Sequence, residues 1–556
     1  MKKTAQVVQF NRDCDFYLDM ADNLIENGQY MEALTPLRRA CKIDNDGHDA
    51  QRRLAELYFL MEQYEVSALL YFKILAKDHT LSECYYGLGQ NYYYLNNLDA
   101  CLHNLNMYMT HNPGDEIFDA EDLINEFEIE SYIEGYRLVY PLESSDYSEL
   151  ISHGRDLITA GAYTEAAKVY ESVVKGSDYY ILARNSMTLC YLMERDYTRA
   201  HELAKEALSI EGDNVFALCN MVTVCYHLNK ISECDRFCIK LLNIETENIT
   251  ELYKIANTLC EIKRHENVYL YLNKILTYKP YDTNILHLSA IASYNCQRFD
   301  EAIHKLKTAA KIDENDILSE YYIKFITAVV KEKDVEKGYF QTLDYSLQLP
   351  YGIIIERIKK LKSLKSMKKE RIKKLYEMDN NFQALIKWVY SLNKPDIIIM
   401  VIKRLLDCGI NLDDKISDIL LDVTPVNDFK KGVIFTKIIS LDRREIIYSF
   451  EGMLKSLKPQ YPKDYADYRK ELKSAYAYAF SSLAFISDCF ESQILKALKE
   501  VGGLFNKEDK INARAAAAVI AHKVSPQMFS QKKYLCRIFN ASITVYNKYI
   551  KMLENK

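Results

Sequence analysis

The chain opens its ordered pattern with Tyr17-Leu-Asp-Met-Ala21, then Glu26-Asn-Gly-Gln-Tyr-Met-Glu-Ala-Leu34, then Pro36-Leu-Arg-Arg-Ala40 and Lys42-Ile-Asp44. The outline returns 34 residues later and keeps returning, with units starting at 14, 48 and 82 and, after a gap, at 147, 181, 215, 249 and 283. The eighth place of the unit holds Ala21, Ala55, Gly89, Gly154, Thr188, Val222, Ala256 and Ala290. The twentieth holds Ala33, Ser67, Cys101, Ala166, Ala200, Cys234, Val268 and Ala302. Small side chains at these two places let a pair of antiparallel helices approach closely. A bulky group at either would overpack the pair, at a cost of about 1–3 kcal/mol. Between the helices stand ring residues, Tyr30, Tyr64, Tyr163, Tyr197 and Phe299, suited to cover the end of each pair.

This arrangement resembles the tetratricopeptide repeat family over residues 14–316. It departs at the fourth place, often Trp in that family, which here holds Tyr17, Gln51, Tyr85, Leu150, Arg184, Leu218, Leu252 and Leu286. The resemblance implies an all-α fold: a solenoid of eight repeats in two blocks, closed by an extra helix from Ile317 to Lys331 and followed by basic helical domains. The organisation expected is repeats 1–3 over 1–113, acidic linker helices over 114–146, and repeats 4–8 with their capping helix over 147–335. A basic helical domain over 336–460 and a helical bundle over 461–556 complete it.

The resemblance also implies a function, capture of peptide segments in a concave groove lined by the first helix of each repeat. By position the groove would present Arg52, Phe59, Tyr86, Gln90 and Tyr93 in the first block. In the second it would present Arg155, Asn185, Tyr226, Tyr253, Asn257, Asn284, His287 and Tyr294. Amides that donate and accept, beside flat rings, suit a peptide main chain. Packing of the same rings against neighbouring helices is the competing use. The chaperone-tail clamps of the family place Lys and Asn at the fifth and ninth places of their first repeat. Leu18 and Asp22 stand there here, and Asp22 would repel a carboxylate.

Composition agrees with an ordered helical protein. Of 556 residues, 49% are hydrophobic and 27% charged, and only 17 glycines and 10 prolines punctuate them. Apolar runs such as Ile397 to Val401 are far short of the roughly 20 residues that span a bilayer, so no membrane contact is expected. The 14 cysteines lack the spacing of a disulfide scaffold, which with no export signal points to reduced thiols and a cytoplasmic protein.

Charge divides the chain. Residues 351–556 hold 38 Lys and Arg against 23 Asp and Glu, whereas 1–350 hold 34 against 55. Residues 115–146 contribute eleven acids against Arg137 alone, a solvated spacer or a strap for the basic half. From 351 to 374, ten basic residues accompany Leu361, Leu364, Met367 and Ile372 at the spacing of an amphipathic helix. Near the end, the alanine-rich stretch Asn512–His522 fits the centre of a bundle. The helical patterns 530–539 and 542–551 after it are similar to the last three helices of the cyclin-like repeat of transcription factor IIB, over about 45 residues. A nucleic acid would then meet Thr544, Asn547, Lys548 and Lys551 in a groove and Lys532, Lys533 and Arg537 at phosphates, which makes a transcriptional regulator the alternative reading.

No phosphate loop, His-Glu-x-x-His helix or nucleophile motif is present, so neither an enzyme nor a cofactor is expected. Cys219, Cys225, Cys234 and Cys238 could be read as soft-metal ligands, but the last two fall on the small and interfacial places of the repeat, where buried cysteine is ordinary.

Overall fold

The structure is a computed structural model. It describes residues 13–44, 47–111, 147–159, 161–314, 316–332, 338–392, 395–423, 446–457, 467–483, 491–506, 508–526, 535–536, 539 and 541–555. These form two compact units, one of residues 1–124 with 351–556 and one of residues 125–350. The expected acidic linker helices lie outside the described residues.

The first unit begins with three helical hairpins: α1 (Cys14–Glu26) with α2 (Tyr30–Ile43), α3 (Asp49–Leu60) with α4 (Tyr64–Leu75), and α5 (Ser82–Tyr94) with α6 (Leu98–His111). The second unit holds five more. They are α7 (Ser148–Thr159) with α8 (Tyr163–Glu171), α9 (Tyr180–Met193) with α10 (Tyr197–Ile210), and α11 (Val215–His227) with α12 (Ile231–Leu242). Then come α13 (Ile249–Glu261) with α14 (His265–Tyr278) and α15 (Thr283–Asn295) with α16 (Phe299–Ile312), and α17 (Ile317–Glu332) closes the array. Each helix packs on its hairpin partner, and first helices of successive repeats also touch, as α1 does α3, α3 does α5, and α9 does α11. These are the stacked hairpins of a tetratricopeptide-type solenoid.

The side chains explain the regularity. All sixteen residues at the eighth and twentieth places are buried. A Cβ added at Gly89 would stand 2.5 Å from Leu105, and one at Gly154 would stand 2.4 Å from the Tyr170 ring. The first helix always ends at the thirteenth place, and at the fifteenth the backbone turns left-handed: Gly28, Glu62, Asn96, Gly161, Arg195, Asn229, Lys263 and Gln297 have φ between 54° and 74°. The next residue donates its amide five residues back, at 2.7–3.0 Å in all eight turns, and so satisfies a carbonyl at the helix end.

Past 350 the first unit continues with α18 (Tyr351–Ser363), α19 (Lys369–Met378), α20 (Asn380–Ser391), α21 (Pro395–Asp407) and α22 (Asp413–Leu420). The basic stretch from 351 is two helices, not one. Leu361, Leu364 and Ile372 are buried from both, and Arg404 donates to the carbonyls of Leu364 and Met367 in the turn between them. Within this otherwise helical fold the described residues also hold an antiparallel hairpin of β1 (Ile446–Phe450) and β2 (Met453–Leu457). Its turn residues Glu451 and Gly452 both have positive φ, the geometry that matches strand twist in a two-residue hairpin. The bundle at the end comprises α23 (Lys470–Leu483), α24 (Glu491–Gly502), α25 (Ala513–Val524) and α26 (Ile543–Glu554). Ala515 through Ala521 of α25 are all buried and the other three helices pack around it.

The hairpin turn sits on the third repeat. Gly452 accepts a 2.8 Å hydrogen bond from the Asn104 amide, and α22 is tied to α4 by Lys73–Asp418 at 2.8 Å. A Cβ at Gly452 would fall 2.3 Å from that of Ala100 and 2.8 Å from the Tyr92 ring. Gly452→Ala is therefore expected to destabilise the first unit by about 1–3 kcal/mol through overpacking and left-handed strain, read as a lower midpoint in urea unfolding.

Candidate functional site

In the second unit the first helices begin on side-chain caps. Asn214, Asn248, Asp282 and Asp316 each stand just before α11, α13, α15 and α17 and accept from backbone amides of the first turn. The fifth place of the preceding repeat reaches three of these caps. Asn185 donates to Asn214 Oδ1 at 3.1 Å, the Tyr253 hydroxyl to Asp282 Oδ2 at 2.8 Å, and His287 Nε2 lies 2.7 Å from Asp316 Oδ2. Asn185, Tyr253 and His287 were expected to face a ligand. Their polar atoms instead bind one repeat to the next, because a fifth-place side chain points at the helix start of its neighbour. Burial would raise the Asp316 carboxyl, but the hydrogen bond and charge of His287, with the bonds from Ser319, outweigh it and hold it below its ordinary value.

Other expected groove residues take several positions. In the first block Arg52 pairs with Asp49 and Glu56 on its own helix, and Phe59 packs edge-on against Tyr64 and Tyr94. Gln90 donates to the Tyr86 hydroxyl at 3.3 Å, and the Tyr93 ring meets Tyr94 edge-on. In the second block Arg155, Asn257 and Asn284 are exposed, as is Tyr226, whose ring lies edge-on to His227.

Tyr294 does meet a non-helical segment, and the segment belongs to the same unit. Residues 338–350 contain neither helix nor strand and run along the end of the array from repeat 8 to repeat 7. Phe340 packs on Tyr294 and Phe299, with ring centres 5.2 and 6.1 Å away. The Tyr294 hydroxyl donates to the Gln341 carbonyl at 3.2 Å. Asn295 then grips the main chain of Leu343 with both ends of its amide: Nδ2 donates to the carbonyl at 2.9 Å and Oδ1 accepts from the amide at 2.7 Å. Asp344 reaches Lys263 at 2.8 Å, and the Tyr345 hydroxyl lies 2.9 Å from His265 Nδ1. Burial, then the Lys263 charge, lowers the pKa of His265, so its neutral ring can accept from Tyr345. Beyond Tyr345 a cleft of about 620 Å³ opens between residues Asp344–Gln348 on one wall and Asn257, Cys260, Glu261 and Leu288 on the other.

Asn295, Lys263 and His265 escaped the sequence reading as site residues, and Phe299 was read only as a ring that covers the end of its helix pair. They occupy the thirteenth, fifteenth and seventeenth places, whereas positional carry-over stopped at the twelfth. The signal available was the run of 338–350 itself, bounded by Gly338 and Pro350 and without helical spacing of apolar residues.

Cys219, Cys225, Cys234 and Cys238 pack as core groups. Burial pushes Cys219 and Cys225 up to about 11, and Cys234 donates to the Val222 carbonyl. Among the described residues His201, Cys225 and Glu233 bring ligand atoms within 4.8 Å of one another, but Lys230 Nζ already stands 3.3 Å from His201 and 3.5 Å from Glu233. In the terminal bundle Thr544, Asn547, Lys548 and Lys551 lie exposed on α26, while Lys532, Lys533 and Arg537 lie outside the described residues. No helix among the described residues is long and apolar enough to cross a membrane.

No protein-family model matches the chain. It is similar to the TPR repeat-containing protein YvcD of Bacillus subtilis (strain 168), 23% identical over 280 residues, 49% of this chain and 56% of that protein. It is also similar to DnaJ homolog subfamily C member 3 of Rattus norvegicus, 22% identical over 202 residues, 36% of this chain and 30% of that protein. The chain thus spans about half the length of the first relative and less than a third of the second. Among solved structures, YrrB, described as a TPR protein with an unusual peptide-binding site, is 13% identical with a TM-score of 0.25, over 32% of this chain and 92% of that one.

Proposed function

We propose that this chain, a tetratricopeptide-type array over residues 14–316, is a protein-interaction adaptor that captures a peptide segment along the inner face of repeats 7 and 8. One observation carries the reading: the Asn295 amide holds the Leu343 main chain through donor and acceptor at once. A contact of that kind recognises any non-helical backbone, because every residue except proline offers the same pair of groups. Phe340 and Tyr345 on either side add ring contacts, which supply binding area with few torsions to freeze. The relatives bearing TPR repeats support the same class of role. The proposal involves no covalent chemistry.

A photo-crosslinking amino acid tests it in the full chain. Placed at Asn257, on the wall of the cleft, it should join a defined segment of a partner protein. Placed at Lys307, exposed on α16, it should not. Equal crosslinking from both places would remove the groove from the reading.

A further inference from the structure

We propose that residues 338–349 are a resident occupant of this groove, and that the external partner is a segment of the same chemistry which enters by displacing them. The inference rests on the groove reading above and adds what the groove selects: an aromatic residue, two residues of any kind, then leucine, an acid and a second aromatic, as in Phe340-Gln-Thr-Leu-Asp-Tyr345.

Each element of that pattern has a socket. The first ring enters a wall of Tyr294 and Phe299, and Tyr294 is itself backed by Phe325. The leucine side chain packs against the buried cluster that includes Tyr294 and Tyr322, while the Asn295 amide fixes its main chain in register. The acid answers Lys263, and the second ring stands on His265. The sockets come from three helices and one turn of repeats 7 and 8, backed by the capping helix, so they persist whether or not the segment is seated.

The segment is held more loosely than the helices it crosses. It has no ladder of its own, Tyr339 is 72% exposed and Leu347 is 43% exposed. The Lys263–Asp344 pair is open to solvent on both sides, where ion pairs contribute little. Its advantage is its tether. It follows α17 after a short connection and runs directly into α18 at Tyr351, so its effective concentration at the groove is on the order of millimolar. A free peptide must overcome that. A longer partner segment can, because the cleft beyond Tyr345 is open space that the resident does not fill.

The test uses the full chain and a fluorescein-labelled peptide with the sequence of residues 338–349. Wild-type protein should bind it weakly. Phe340→Ser with Tyr345→Ser, which removes the resident's two anchors, should tighten binding at least tenfold, and adding Asn295→Ala should abolish the gain. Equal affinity for wild-type and loosened chains would overturn the inference and leave the groove reading standing. Binding by neither would overturn both. Binding that survives Asn295→Ala would overturn the assigned socket and the inference with it. Hydrogen exchange on the unaltered chain gives a second readout that needs no variant to fold: protection of the Leu343 amide should fall when unlabelled peptide is added. Unchanged protection at saturating peptide would defeat the proposal.

Discussion

Tyr294→Ala is expected to cost the second repeat block about 3–5 kcal/mol, the range for deleting a buried aromatic side chain. The ring is 1% exposed and has Phe299, Phe325 and Phe340 around it, with centre separations of 5.6, 5.9 and 5.2 Å. Alanine would leave a cavity where three elements meet: the last repeat, the capping helix and the segment 338–350. Rigid hairpins cannot collapse into such a space without moving the packed helix ends. Tyr294→Phe should lose only the hydroxyl bond to Gln341, about 0.5–1.5 kcal/mol. Urea unfolding read by hydrogen exchange in α15 to α17 separates the two variants. If they differ by less than about 1 kcal/mol, the aromatic cluster does not hold the end of the array.

The repeat was legible because each constraint recurs at a fixed place. A small residue at places eight and twenty, seen eight times, reports one helix-to-helix distance. The left-handed turn at place fifteen is less visible, since glycine marks it only at Gly28 and Gly161 and the other six turns use larger residues. The roles of the expected groove residues were less legible. Position within a first helix names the side it faces, but not whether a neighbour's cap takes its polar atoms first. That is why His287, Asn185 and Tyr253 became ties between repeats. The segment 338–350 and the hairpin at 446–457 carry no 34-residue echo. Their contacts join residues such as Asn295 and Leu343, or Asn104 and Gly452, that are far apart in the chain. In the hairpin, Glu451-Gly452 between two short stretches of mixed apolar and polar residues was the available sign, five residues on each side.

The tie between His287 and Asp316 makes the second large expectation. Their side chains are only 9% and 6% exposed, and Asp316 also caps α17 by accepting from the Ser319 amide at 2.9 Å. Asp316→Ala removes the cap and takes the carboxylate from the buried imidazole, leaving it only the Ser319 hydroxyl at 3.0 Å, which together should cost about 3–5 kcal/mol. Asp316→Asn keeps an oxygen for the Ser319 amide and should cost less. The acid dependence has a definite sign. The carboxyl is held below its ordinary value when folded, so near pH 4 the unfolded chain binds more protons than the folded one. The stability from Asp316 is therefore fully present above the unfolded aspartate value of about 3.9 and is lost as pH falls through the lowered folded value. Wild type and Asp316→Asn should keep a constant gap above about pH 5 and converge as pH falls through the lowered folded value. A gap that stays constant through that fall would mean that Asp316 acts as a cap alone, and that its charge contributes nothing to the junction between repeat 8 and the helix that closes it.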